Sequence, residues 1–222
     1  MRTIAVIARK GGSGKTTVSV HLALAAHLRG LEVVLADTDA QGSAVEVLKG
    51  RRREGPRTVV STGPELLALQ IQSQRAGVDA LIIDTPAVLE EEIGAAVALS
   101  DLSLLVMRPT FLDIAASLHT ASILRRLRKP AMVVLNQAPV MRDGAEPPAV
   151  KKALEALRLM RLPVAPAILR GRALYQTALE SGSSVEELSP GAPAAEEVRA
   201  LWEYVHRFAF AQPLRRERTE AM

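Results

Sequence analysis

The apolar run Thr3–Ala8 leads directly into Arg9-Lys10-Gly11-Gly12-Ser13-Gly14-Lys15-Thr16-Thr17, and a helical pattern follows from Val18 to Leu28. Strand, glycine loop and helix in immediate succession constrain the fold more than any other feature of the chain. The rest of the sequence repeats the alternation. Strand-like runs fall at Glu32–Ala36, Thr58–Ser61, Ala80–Ile83, Leu102–Met107, Ala131–Leu135 and Pro163–Ala167. Between them, apolar residues three and four apart predict helices at Leu66–Gln74, Ile114–Leu127 and Val150–Leu159. The runs are continuous rather than alternating, so each strand is buried on both sides. The expected class is therefore α/β: one domain, with a mostly parallel, twisted sheet and helices on both faces. In such sheets ligands bind at the strand ends. A last helix is expected at Ala194–Ala209, with Val198, Leu201, Trp202, Val205 and Phe208 on one stripe that docks on the core. The longest expected loops are Pro139–Pro148 and Ser181–Pro193, and a charged tail occupies 212–222.

Composition narrows the function. With 222 residues the chain can bury one good core, and 48% apolar against 23% charged residues fits a globular protein. It has no cysteine, which excludes disulfides, thiolate metal centres, iron–sulfur clusters and cysteine nucleophiles. Its four histidines show no metal or catalytic spacing. The N-terminus is too short and too soon interrupted for a signal peptide, and no apolar run approaches the roughly 18 residues that span a bilayer. A cytoplasmic protein is expected. The net charge of +4 is uneven: residues 125–172 hold eleven Lys/Arg and three Asp/Glu, a local +8 that leaves −4 elsewhere. A basic face suggests an acidic partner.

The glycine loop reads as a phosphate cradle. Gly11, Gly12 and Gly14 let the backbone approach a triphosphate, and the following helix N-terminus adds a favourable dipole. Lys15 is expected to reach the β- and γ-phosphates, and Thr16 to offer its hydroxyl to Mg²⁺. Ser13 and Thr17 complete the loop. Two carboxylates follow the second strand, in Asp37-Thr38-Asp39-Ala40-Gln41. Beside a phosphate loop they can order Mg²⁺ and the attacking water. Leu81-Ile82-Ile83-Asp84-Thr85-Pro86 puts a further carboxylate at the end of an apolar strand, suited to a hard cation.

One residue departs from the general phosphate-loop pattern: a second lysine, Lys10, opens the loop. Lys-Gly-Gly-x-Gly-Lys-Thr-Thr is the deviant Walker A pattern, and through it the chain resembles the ParA/MinD family of ATPases over residues 2 to about 210. The resemblance implies an ATPase domain at 1–211 that uses ATP and Mg²⁺ and forms a homodimer in its ATP state. In the family the first lysine crosses the dimer interface to the partner's nucleotide, which implies a catalytic role for Lys10 beside Lys15 and Asp39. Asp39 matches the residue that positions the hydrolytic water, with Ala40 in place of the family's usual proline. Asp37 supports the metal shell, Asp84 matches the Walker B acid, Thr85-Pro86 senses the γ-phosphate, and Asn136 matches an adenine contact. The chain begins at its first strand, so no N-terminal helix-turn-helix domain is expected.

Relatives with this loop serve different ends. Metal-cluster carriers and arsenite-pump ATPases need cysteines, and the tyrosine kinases of the group carry a tyrosine cluster, whereas this chain has only Tyr175 and Tyr204. A partition ATPase remains: ATP-driven dimerisation switches on DNA binding without sequence preference, and a ParB-like or cargo adaptor stimulates hydrolysis and release. Such a protein would be nucleoid-associated. Arg126, Lys151, Lys152, Arg170 and Arg172 are candidate phosphate contacts. The alternative is a MinD-like membrane-associated positioning ATPase. It needs a basic amphipathic C-terminal helix, whereas Glu196, Glu197 and Glu203 outnumber Arg199 and Arg207 on the polar face of Ala194–Ala209.

Overall fold

The computed structural model of the chain describes residues 1–87 and 90–210. In chain order the elements are β1 (Arg2–Ile7), α1 (Lys15–His27), β2 (Val33–Asp37), α2 (Ser43–Lys49), β3 (Arg57–Val60), α3 (Leu66–Arg75), β4 (Ala80–Asp84) and α4 (Glu90–Leu99). They continue with β5 (Leu102–Met107), α5 (Phe111–Arg126), β6 (Ala131–Leu135), α6 (Pro148–Leu157), α7 (Ala173–Glu180), α8 (Val185–Leu188) and α9 (Pro193–Phe210). The six strands form one parallel sheet in the order β3-β2-β4-β1-β5-β6.

The alternation of side chains along each strand feeds two cores. Ile4, Val6, Leu35, Ile82 and Leu104 point to one face, where α1, α2 and α7–α9 lie. Ala5, Ile7, Ala36, Ile83 and Leu105 point to the other, beneath α3–α6. The inner strands are therefore apolar on both faces over most of their length, the signature from which the parallel sheet was expected. β1 is central, with Ile4 to Ile7 wholly buried.

α9 docks as expected: Val198, Leu201, Trp202 and Val205 are buried, with Trp202 only 2% exposed. Phe208, on the same expected stripe, is only partly buried. No helix among the described residues is long and apolar enough to cross a membrane. The expected tail at 212–222 lies outside the described residues.

Two expectations need correction. Pro163–Ala167 is not a strand. It meets β6 through a bridge at Val133–Val164, with Val133 N–H donating to Pro163 O and Ala165 N–H to Val133 O. Pro163 and Pro166 have no N–H to continue a ladder, so the pairing breaks after one rung and resumes at Leu169, whose N–H donates to Leu135 O and whose O accepts Ala138 N–H. The expected loop Ser181–Pro193 contains α8, opened by a capping box in which Ser184 and Glu187 satisfy each other's backbone N–H.

Candidate nucleotide site

β1 is the topological switch point of the sheet: the chain moves from it toward β2 on one side and later crosses to β5 on the other. The crevice at the carboxyl end of β1, between β4 and β5, is where such a sheet binds ligands. Residues 8–14 fill the turn there. Gly12 and Gly14 have φ of 73° and 86°, a region that side chains disfavour. No side chain caps α1 and no acid lies in its first turn, so its N-terminal amides are left to an anion.

Lys15 opens α1 and is buried at 8% exposure. Burial lowers its pKa, against the opposing pull of Asp84 and Asp39. Asp84 ends β4 directly beside Asp37 at the end of β2. Its carboxylate accepts Thr16 Oγ1 at 2.8 Å and Ser19 Oγ at 2.9 Å. Burial pushes its pKa up to about 7, helped by the charge of Asp37 and opposed by those two hydroxyls and Lys15. The Thr16 hydroxyl and the Asp84 carboxylate are thus brought together as an all-oxygen donor set that fits Mg²⁺. Among the described residues no cluster of three His, Cys, Asp or Glu offers a self-sufficient metal cage.

Asp37 is occupied. Its Oδ1 accepts Asp39 N–H at 3.0 Å, and its Oδ2 accepts Ala44 N–H at 2.8 Å and Val45 N–H at 3.4 Å, inside the first turn of α2. Burial nevertheless raises its pKa over these bonds. It fixes the loop that carries Asp39. Asp39 itself is half-buried, with Oδ1 accepting Gln41 N–H at 3.0 Å. Thr38 ties this loop to β4, its N–H and Oγ1 both donating to Asp84 O at 2.9 and 3.0 Å. Thr85 Oγ1 donates to Val6 O at 2.9 Å, so the segment after β4 is fastened to β1.

Lys10 is half-exposed, and its Nζ lies 3.4 Å from Asp113 Oδ1. Asp113 is buried and also receives Arg108 Nε at 2.7 Å and Nη2 at 3.1 Å. Burial would raise the Asp113 carboxyl, but the bonds from Arg108, with Lys10 behind them, hold it below the ordinary range. The sequence alone singled out neither Asp113 nor Ser19. The strand-end position of Asp84, which Ser19 contacts, was a signal near one of them.

Asn136 follows β6 and is buried, and its Nδ2 donates to Ser13 O at 2.9 Å. The residue expected at the base thus touches the phosphate loop.

The basic candidates separate. Arg126, Lys151 and Lys152 are exposed on α5 and α6. Arg170 and Arg172 are corrections. Arg170 is buried at 6% exposure, with Nη1 bonded to Glu146 at 2.9 Å and to Pro139 O at 2.9 Å. Arg172 donates through Nε and Nη2 to Glu197 at 2.9 and 2.8 Å. Both hold the segment after residue 163 to the body; Arg170 is buried in doing so, whereas Arg172 keeps part of its side chain exposed.

A family model described as the CobQ/CobB/MinD/ParA nucleotide binding domain matches residues 4–185. The chain belongs to this nucleotide-binding family. The maintenance of carboxysome distribution protein A of Halothiobacillus neapolitanus is 29% identical over 213 residues, 90% of this chain and 94% of the relative. Its counterpart in Gloeobacter kilaueensis is 30% identical over 191 residues, 83% of each chain. Among solved structures, an ATP complex of a substituted McdA from Cyanothece superposes with a TM-score of 0.72 at 18% identity, covering 94% of this chain and 96% of that one.

One buried group near the site was not singled out by its sequence context. His21, on α1, is wholly enclosed; its Nδ1 lies 2.8 Å from Thr17 O and its ring meets Tyr175 edge-on at 5.2 Å. A carbonyl only accepts, so Nδ1 carries a proton. Burial drives its pKa down to about 4, against the Thr17 bond and Glu187. A folded pKa below the unfolded value gives stability that is present above about pH 6.5 and is lost as pH falls toward 4. The loss is about 3 kcal/mol. Urea unfolding at pH 7.5 and pH 4.5 should show a smaller acid loss for His21→Gln than for the parent. Equal losses would remove His21 as the cause.

Proposed function

We propose that this protein is an ATP-hydrolysing spatial switch of the ParA type that positions a protein cargo. The observation that carries the reading is the Lys10-bearing phosphate loop folded against the Thr16–Asp84 pair. The likeness to two proteins named for maintenance of carboxysome distribution, over most of the chain, favours protein cargo over plasmid partition.

In this reading the loop amides and the α1 N-terminus hold the phosphates of ATP, and Lys15 reaches the β- and γ-phosphates. Thr16 and Asp84 hold Mg²⁺, which neutralises charge on the phosphates when bound. Asp37 lends charge from behind, because its Oδ1 already serves the Asp39 N–H and its Oδ2 serves α2. Asp39 orients a water whose oxygen attacks the γ-phosphorus; the bond to the ADP oxygen breaks and the water's proton leaves with the phosphate. Lys10 of the partner subunit stabilises the charge that develops, as an arginine finger does. ATP therefore holds two subunits together, and hydrolysis, stimulated by an adaptor on the cargo, parts them.

The dimer doubles an exposed basic surface that includes Arg126, Lys151 and Lys152, so DNA affinity rises with dimerisation. The protein would then sit on the nucleoid when loaded with ATP. Binding to random-sequence duplex DNA tests this, with Mg²⁺–ATP, with ADP and without nucleotide, across a salt series. Tight, salt-sensitive binding is expected only with ATP, and Asp39→Ala should prolong it by blocking hydrolysis. The combined Arg126→Ala, Lys151→Ala and Lys152→Ala variant should flatten the log–log salt slope by about 5, because the dimer loses three contacts on each subunit. Equal binding in all three nucleotide states, or none in any, would overturn the proposal.

A further inference from the structure

A phosphate loop that points its N–H groups inward must point its carbonyls outward, and those oxygens need donors of their own. α1 supplies one: Val18 N–H donates to Gly14 O at 3.0 Å. The rest come from the far side of the crevice. Asn136 Nδ2 lies 2.9 Å from Ser13 O and 3.4 Å from Gly14 O, and Gln137 Nε2 lies 3.1 Å from Gly12 O. Three consecutive loop carbonyls are thus met by two consecutive carboxamides. Only the NH₂ side of each amide can face a carbonyl, so the assignment of donors is fixed by chemistry.

The backbone is shaped for this. Gln137 has φ of 52°, a conformation that residues other than glycine adopt rarely and keep only when their surroundings hold them there. Its neighbours are anchored: Asn136 N–H donates to Met107 O at 2.9 Å and Ala138 N–H to Leu169 O at 3.0 Å. On the opposite side, a Cβ at Gly14 would lie 2.1 Å from Asn136 Nδ2. No side chain fits between loop and latch.

We propose that Asn136 and Gln137 are positioning residues that latch the phosphate loop from behind, and so hold its N–H groups ready for a triphosphate whatever the base. The inference rests on the reading of this loop as a triphosphate site. It gives Asn136 a task on the loop, distinct from an adenine contact, and brings in Gln137, which is exposed and carries none of the expected chemistry.

The test compares Mg²⁺–ATP with inorganic tripolyphosphate, which has no base, by titration calorimetry on the full chain. Asn136→Ala and Gln137→Ala should each weaken both ligands by the same factor, about tenfold for a lost partner of a loop carbonyl. Gln137→Glu, which keeps the length but loses the donor, should weaken them at least as much. Gln137→Ala should melt without ligand as the parent does. Weaker ATP binding with unchanged tripolyphosphate binding would make these residues base contacts and overturn the latch. Parent-like binding of both ligands by Gln137→Ala would overturn it too, and that surface variant decides the matter even if Asn136→Ala fails to fold. A parent chain that binds neither ligand would instead sink the triphosphate reading itself.

Discussion

Asp84→Asn should give a chain that is more stable than the parent without nucleotide and close to inert as an ATPase. Asp84 is 1% exposed, and burial lifts its pKa to about 7. A folded pKa raised above the unfolded value of 3.8 means stability that is complete below about pH 4 and is lost as pH rises through 7. At pH 8 the nucleotide-free parent therefore carries a buried carboxylate at a cost of up to about 4 kcal/mol. Asparagine has the same shape and no charge. Its amide can still pair with both hydroxyls, because Thr16 and Ser19 can each accept as well as donate. Urea unfolding should find the variant ahead at pH 8 and level with the parent near pH 4. Hydrolysis should fall by roughly a hundredfold or more, since a carboxylate aimed at the phosphate-bound cation is gone. A parent whose stability does not decline relative to the variant between pH 5 and 8 would refute the assignment. So would a variant that hydrolyses ATP normally.

The candidate site was legible in the sequence because its residues stand where packing alone would not put them. Asp84 stands at the end of a run that is otherwise all apolar, a place with no structural reason for a carboxylate. The same logic exposed Lys15 and the glycine loop. β5 and β6 were readable to the residue because their runs are continuous and bounded. Other features depend on distant partners. Arg170 adds to the local charge like any arginine, and only the fold brings Glu146 and Glu197 to it. Asp37 shares a motif with Asp39, yet its Oδ2 caps α2, a helix of seven residues that is too short to show a period. Pro163–Ala167 has the composition of a strand, but its prolines cannot pair. Ser184 and Glu187 did spell a capping box before α8, a signal present in the sequence and passed over in a stretch rich in serine, proline and glycine.

Lys10→Ala should leave the monomer almost untouched and remove most of the hydrolysis. Lys10 is 37% exposed at its side chain, and Asp113 is already held by both arms of Arg108. A half-exposed ion pair of this kind contributes about 1 kcal/mol or less. Its loss should shift unfolding only slightly, and ATP affinity, which rests on the loop amides and Lys15, should stay within a few-fold. The weakness of the pair suits a lysine that must leave Asp113 to reach across a dimer. If Lys10 supplies charge there as an arginine finger does, its removal should cost about 10³-fold in kcat. Asp113→Asn separates holding from catalysis. It releases Lys10 but breaks a buried fork, so it should cost about 2–3 kcal/mol of stability while keeping hydrolysis in the fraction that stays folded. Light scattering with Mg²⁺–ATP, run beside phosphate release, reads both. Lys10→Ala that hydrolyses at the parent's rate would leave the lysine as a surface partner of Asp113 and nothing more. Loss of hydrolysis with an intact monomer would place the reaction's missing charge on the second subunit.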